Sequence, residues 1–375
     1  MNWKLATAII TIIIMIIILE KPINNEIKRV EPYNLQQIIT QNDGLQNTVQ
    51  TKENKQACNP PQKNKDKGLL SPELIGISGY LNTNQNITIG ELVGKKIILV
   101  DFWTYSCINC QRTLPYLTSW HSQYSDKGFE IIGVHTPEFN FEKKYDNVKR
   151  AVEKFNIKYP VVQDNERKTW NAFQNRYWPA KYLIDISGNI AWTHFGEGNY
   201  EETENKIQEL LAERSEQLCL NSQMPKEKIR VQAEKVDFYK IATPEIYLGY
   251  EFTRGNFGNP DGLPNKQTID YVIPQELSKN NVYLSGTWFV DADNVLLNSE
   301  NGEVLLEYNA KNVNIVASAQ NGSEITIIVD GKKVKTLSVI NDDLYRIVEG
   351  EDYGSHTVNL QIKGKGFRLY TFTFG

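Results

Sequence analysis

Cys107 and Cys110 are the residues of this 375-residue chain whose type and spacing point most directly to chemistry. They stand three apart in Cys107-Ile108-Asn109-Cys110, behind an apolar run and a short turn, at the head of a helical pattern. The thiolate is the reactive form of cysteine, and unpaired backbone N–H groups at a helix N-terminus favour it. A second cysteine three residues further along the same helix is close enough to close a small disulfide ring. The expected chemistry is thiol–disulfide exchange, with Cys107 attacking a partner's sulfur and Cys110 resolving the mixed disulfide. Two other uses of such a pair compete. A structural zinc needs four ligands, and no second Cys-x-x-Cys or close Cys/His pair occurs among four cysteines and four histidines. A stapling disulfide has no need of a strand–turn–helix setting, which favours the redox reading. No metal or organic cofactor is expected, because the cysteine pair itself carries two electrons.

The elements around the pair alternate between strand and helix. Lys96 to Phe102 is an apolar run of the kind found in a strand buried on both faces. Cys107 to about Asp126 has a helical pattern with Pro115 inside it, and Phe129 to Val134 is a second buried strand. Phe141 to Phe155 is amphipathic, Tyr159 to Gln163 is a short strand and Arg167 to Phe173 a short helix. Lys181 to Asp185 and Ile190 to Phe195 are strands joined by Ile186-Ser187-Gly188-Asn189, a hairpin signal, and Glu201 to Arg214 closes the region as a charged helix. This order predicts a central mixed sheet with helices on both faces.

The run Val100-Asp101-Phe102-Trp103-Thr104-Tyr105-Ser106-Cys107 to Pro115 resembles the active-site segment of the thioredoxin superfamily. More narrowly, it resembles the extracytoplasmic part of DipZ-type proteins, whose thioredoxin domain belongs to the TlpA-like group. The resemblance implies a buried acid at Asp101 that shuttles a proton to and from Cys110 through water; a strand-end aspartate satisfied by backbone is the plainer alternative. It gives Pro115 a structural role as a helix-kinking proline. It also places a cis-proline loop at Trp178-Pro179-Ala180, where exposed backbone pairs with an extended substrate. Trp103, Trp178 and Pro179 are therefore expected to face the substrate. His135-Thr136-Pro137-Glu138-Phe139 resembles the same family at the carboxyl end of the sheet, where His135 or Glu138 either tunes the cysteines or simply enters a helix. The region around 141–163 resembles the insertion that TlpA-like domains add to the minimal fold. Ser106 before the pair and Ile108-Asn109 within it depart from thioredoxin itself, so the usual guides to redox direction are missing; TlpA-like relatives favour a reductase, acting on cytochrome or other exported thiols. DipZ-type proteins begin with a multi-span membrane domain not seen here, which implies a separate membrane protein as electron donor.

Outside this domain the texture changes. Leu5 to Leu19 is apolar behind Lys4, and Trp3 to Leu19 as a helix spans roughly 25 Å, the lower limit for crossing a bilayer. Residues 1–22 are expected to be a signal anchor, or a signal peptide if cleaved. Residues 23–68, rich in Asn, Gln, Lys and Glu, form a flexible polar tether. The redox domain is assigned to 69–215, a polar linker to 216–240 and a second domain to 241–375. In this last part short alternating segments such as Glu303 to Tyr308 and Glu324 to Val329, punctuated by Asn321-Gly322 and Asp330-Gly331, predict an all-β sandwich. Its ends, Thr243 to Glu251 and Leu369 to Gly375, resemble the carbohydrate-binding-module-like tail of DipZ-type proteins. There Tyr247, Tyr250, Phe252 and Trp288 either stack on a sugar or peptide or belong to the core. Cys58 and Cys219 either pair in a stabilising disulfide or leave Cys58 as a spare thiol. With a net charge of −4 and no basic block, nucleic acid is not the expected partner. The chain is read as an extracytoplasmic thiol–disulfide oxidoreductase exchanging electrons with protein thiols and disulfides, tethered by its N-terminal helix. The rivals are a disulfide oxidant or isomerase, a carbohydrate- or protein-binding module with a structural disulfide and, more weakly, a thiol peroxidase.

Overall fold

Alternation along one strand organises the N-terminal half of the described residues. In the computed structural model, which describes residues 69–83, 86–220 and 227–375, strand β3 is Ile97–Trp103 and every residue of it is buried. With side chains pointing alternately to opposite faces, Ile98, Val100 and Phe102 join one core while Ile97, Leu99 and Trp103 join the other. Asp101 therefore falls on the second face, beneath the helix that carries the cysteines.

The sheet around β3 is seven-stranded. β1 is Leu69–Leu70, β2 Gly79–Leu81, β4 Phe129–His135, β5 Val161–Gln163, β6 Ala180–Ile184 and β7 Asn189–Phe195, in the spatial order β1-β7-β6-β3-β4-β5-β2. β3, β4 and β5 run parallel, and β6 and β7 add antiparallel partners beside β3. Five helices complete the region: α1 (Ile89–Leu92), α2 (Ile108–Tyr124), α3 (Tyr145–Lys154), α4 (Lys168–Ala172) and α5 (Tyr200–Gln217). Leu114, Leu117 and Trp120 of α2 and Ile207, Leu210 and Leu211 of α5 pack on the Leu99 face, whereas Trp170 of α4 packs on the Phe102 face. This is a thioredoxin-like fold, a mixed sheet with helices on both faces.

The C-terminal half is all β. Its strands are β8 (Ile246–Tyr247), β9 (Thr268–Tyr271), β10 (Val282–Val290), β11 (Val295–Leu297), β12 (Asn301–Ala319), β13 (Ser323–Val329), β14 (Lys332–Val339), β15 (Asp343–Lys363) and β16 (Phe367–Phe374). Two very long strands, β12 and β15, pair along most of their length, with register shifts near Ala310 to Asn314. Towards its start β12 also pairs with β10, and from Val313 onward with β16, so this one strand connects separate parts of a single nine-stranded hydrogen-bonded sheet. Asp330-Gly331 joins the paired strands β13 and β14. Asn321-Gly322 is also a turn, but it links β12 to β13, which are separated by β15. Trp288 is fully buried in this core, which removes it from the candidates for stacking on a ligand.

All described residues belong to one compact unit, and the two halves share a core. Phe139 and Phe141, from the loop after β4, lie 5.2 and 4.8 Å, ring to ring, from Tyr370 of β16. Around them the β14–β15 turn is tied down by Lys154 to Asp343 at 2.7 Å and by Asn147 Nδ2, which donates to Asp342 at 3.1 Å. Among the described residues no helix is long and apolar enough to cross a membrane. The anchor or signal expected at 1–22, the tether at 23–68 and the Cys58 half of a pairing with Cys219 lie outside the described residues.

Candidate active site

Cys107 is the N-cap of α2, with extended backbone, and its Sγ accepts from the Cys110 N–H at 3.4 Å. A cap acceptor of this kind satisfies one of the first free N–H groups of a helix, so the sulfur sits where partial positive charge gathers. Both cysteines are free thiols. Cys107 is half-exposed, whereas Cys110, one turn into the helix, is buried. Burial, reinforced by the hydrogen bond with Cys107, pushes the Cys110 thiol well above its ordinary range.

Asp101 lies on the same face of the sheet. It is 1% exposed and neither carboxylate oxygen has a hydrogen-bond partner. Burial pushes its carboxyl up to about 7, against the pull of the nearby Lys181 ammonium. Lys181 is its cross-strand partner on β6 and is itself fully buried, with Nζ donating to the Gly196 carbonyl at 3.1 Å. A lysine in a short apolar strand was not singled out from the sequence. Its strand parity, inward together with Leu183, was the available signal.

Two further buried networks hold the pair. Arg112 forms a bidentate ion pair with Glu197, the shortest contact being 2.6 Å, and donates from Nη2 to Asn109 Oδ1 at 2.7 Å. The dipeptide between the cysteines is thereby tied to the loop after β7. On the other side the Glu142 carboxylate accepts from Thr104 Oγ1 at 2.5 Å, Ser106 Oγ at 2.6 Å, Glu138 N at 2.6 Å and Phe139 N at 2.9 Å. One carboxylate thus joins the turn before Cys107 to the loop after β4. Neither Arg112 nor Glu142 was picked out as a site residue from the sequence, where both resemble ordinary surface charges.

Cys107 opens into a cleft of about 430 Å³. Trp178 and Glu138 line it from the redox half, and Glu245, Tyr247 and Arg254 line it from the β-rich half. The Trp178–Pro179 bond is cis, and Trp178 Nε1 donates to the Thr136 carbonyl at 3.0 Å. Pro179 is buried and is not part of the cleft wall. Trp103, expected to face substrate, does not do so. It is fully buried, packed edge-on to His135, with its indole above Gly133, where a Cβ would come within 3.1 Å of Nε1. His135 is likewise sealed in, and burial pushes it down to about 3, so it stays neutral at physiological pH. Glu138 lies in the cleft, its Oε1 accepting from Tyr247 Oη at 2.8 Å. Among the described residues no three His, Cys, Asp or Glu side chains converge as metal ligands do. A separate depression of about 420 Å³ on the β-rich half, lined by Glu303, Glu324, Gln361 and Lys363 among others, has no aromatic ring on its wall.

The chain is similar to known proteins in both of its halves. The AhpC/TSA family matches residues 77–193, and a thioredoxin-like C-terminal domain family matches 243–375. Protein DipZ of Mycobacterium bovis is 36% identical over 312 residues, covering 81% of this chain and 43% of that protein, so the chain spans less than half of its relative's length. Thiol-disulfide oxidoreductase YkuV of Bacillus subtilis is 28% identical over 142 residues, 38% of this chain and 94% of its own. A solved thiol:disulfide interchange protein of the thioredoxin family from Chlorobium tepidum aligns at 20% identity with a TM-score of 0.33, covering 39% of this chain and 97% of its own.

Proposed function

We propose that this chain, a DipZ homologue and a thiol–disulfide oxidoreductase of thioredoxin-like fold, reduces disulfides of exported proteins through Cys107 and Cys110. The observation that carries this reading is the asymmetry of the pair. One sulfur is at a helix N-cap and open to a cleft; the other is buried beside a carboxylate without a hydrogen-bond partner. Cys107 is the nucleophile, because it is the sulfur a substrate reaches. Cys110 resolves the mixed disulfide. It is held as a thiol until Asp101, whose carboxyl titrates near neutrality, takes its proton. Trp178 lines the cleft where the substrate chain lies, and Pro179 supports that loop from beneath. No organic cofactor or metal enters the scheme. A membrane protein is the proposed electron donor, and the outer face of the cell membrane is the proposed location, with the apolar segment within residues 1–22 as the anchor.

The test is the reduction potential of the Cys107–Cys110 pair, obtained by equilibration in graded thiol–disulfide buffers and alkylation, with Cys107→Ser as control. A value near about −270 mV supports a reductase, and one near about −120 mV replaces it with an oxidant. A pair that stays oxidised well below about −300 mV is a structural staple, and the redox reading then fails.

A further inference from the structure

The cleft holds an acid that the scheme above leaves unused. We propose that Glu138, held in the cleft by Tyr247 of the β-rich half, is the proton-transfer group on the substrate side of the exchange, taking the proton of Cys107 and delivering it to the departing substrate sulfur. The proposal rests on the redox reading of the cysteine pair and adds to it a catalytic residue, together with a reason for the second half of the chain to border the site.

The geometry separates two proton sites. Asp101 is sealed on the inner side, beneath Cys110, and is not part of the cleft wall. Glu138 shares that wall with Cys107. Its Oε1 takes the Tyr247 hydroxyl at 2.8 Å, while among the described residues Oε2 has no hydrogen-bond partner and is left for a reacting sulfur. Its own backbone N–H is fixed by Glu142 at 2.6 Å, the carboxylate that also holds Ser106 next to the nucleophile. The charged groups facing Glu138 come from several elements. Burial and the carboxylates of Glu142 and Glu245 favour its protonated form, while the Tyr247 hydrogen bond and the Arg254 guanidinium oppose them, and the balance pushes the carboxyl up to about 8. An acid poised this close to neutral pH both gives and takes a proton readily.

The Glu138 carboxylate takes the Cys107 proton, and the thiolate attacks one sulfur of a substrate R–S–S–R′. A bond forms between Cys107 Sγ and the R sulfur, the S–S bond of the substrate breaks, and R′S⁻ leaves as R′SH with the proton from Glu138. Cys110, its proton passed to Asp101, then attacks Cys107 Sγ and closes the intrachain disulfide. RS⁻ leaves and takes up a proton from solvent. The dithiol is oxidised by two electrons and the substrate disulfide is reduced by two.

A leaving-group comparison tests this in the reduced full chain. Bis-hydroxyethyl disulfide loses a basic alkyl thiolate that departs poorly without a proton, whereas dipyridyl disulfide loses a thiopyridone that needs none. Single-turnover rates with both probes are measured for the wild type and for Glu138→Gln. Their ratio isolates the acid, because any change in the Cys107 thiolate fraction cancels. We expect Glu138→Gln to lower the hydroxyethyl-to-pyridyl ratio by about 100-fold at pH 7. In the wild type the ratio should fall as the pH passes about 8. Tyr247→Phe, which removes a donor that favours the carboxylate, should move that fall to higher pH. A ratio unchanged in Glu138→Gln overturns the proposal, because a merely structural role slows both probes alike. Should that variant not fold, a Tyr247→Phe limb that stays in place overturns it instead. A wild type that reduces neither probe sinks the redox reading itself, and this proposal with it.

Discussion

Asp101 and Lys181 face each other across the antiparallel strands β3 and β6, both buried, and burial moves each toward its neutral form. A strong ion pair does the opposite, lowering the acid and raising the base. Here the carboxylate accepts no hydrogen bond, and the ammonium is turned to the Gly196 carbonyl. The two charges are near enough to moderate each other but not to stabilise each other fully. The result is a carboxyl that exchanges its proton near neutral pH, next to the buried thiol it is proposed to serve.

The first prediction is a pH dependence of stability with a definite sign. The folded state binds the Asp101 proton more tightly than the unfolded chain does, so this group's contribution is most favourable below about pH 4. It is progressively lost as pH rises through about 7, where the charge must be buried. The shift from 3.8 to about 7 corresponds to about 4 kcal/mol. Denaturant unfolding of wild type and Asp101→Asn from pH 4 to 8 should show the difference between them growing with pH in favour of the variant. The gain will be smaller than the full shift, because Lys181 loses its counter-charge. A constant difference across the range contradicts the assignment.

The second prediction concerns Lys181→Met. Its ammonium is what restrains the upward shift of Asp101. Without it Asp101 holds its proton to higher pH, and the resolving attack by Cys110 shifts in the alkaline direction. Trapping the mixed disulfide with a peptide disulfide at several pH values reads this directly. At pH 7 the trapped species should persist longer in the variant than in the wild type, with the gap closing at higher pH.

The redox half was largely legible in the sequence, because its signals are local: a buried strand such as Ile97 to Trp103, a cysteine at the helix start, a hairpin between β6 and β7. What escaped depends on pairing between distant segments. Trp103 next to the active-site turn looks like a substrate contact until β4 supplies Gly133 beside it and opens a slot for the indole. Lys181 looks like a solvated charge until β6 is placed against β3. The Tyr247 hydroxyl reaches Glu138 across 109 residues of sequence, which no spacing rule anticipates. In the β-rich half the Asn321-Gly322 turn was visible, but not that β15 lies between the strands it joins.

The third prediction concerns the network behind the nucleophile. The Arg112 and Glu197 side chains are 3% and 11% exposed, and the guanidinium also holds Asn109 between the cysteines. Arg112→Met leaves the Glu197 carboxylate without its partner, and breaking a buried pair from one side typically costs about 3–5 kcal/mol. Arg112→Lys retains charge but loses the two-pronged contact, so it should recover only part of that stability. Urea midpoints of the three proteins should fall in the order wild type, Lys, Met. A midpoint for Met within error of the wild type contradicts the role assigned to this pair.

The last prediction follows from the shared core. Tyr370 is 5% exposed and its ring contacts Phe139 and Phe141, which come from the loop that also carries Glu138. Removing an aromatic side chain from such a site costs about 3–5 kcal/mol through lost burial and the cavity left behind. Because the contact joins the halves, Tyr370→Ala should do more than lower the midpoint. In the wild type, near-UV signals from both halves should melt together in one transition. In the variant the transition should broaden or split, as each half keeps its own core but loses the coupling. Since the same loop borders the cleft, thiol–disulfide exchange at Cys107 should also become less dependent on Tyr247. A variant that melts in one sharp transition at the wild-type midpoint shows that Tyr370 does not couple the two halves.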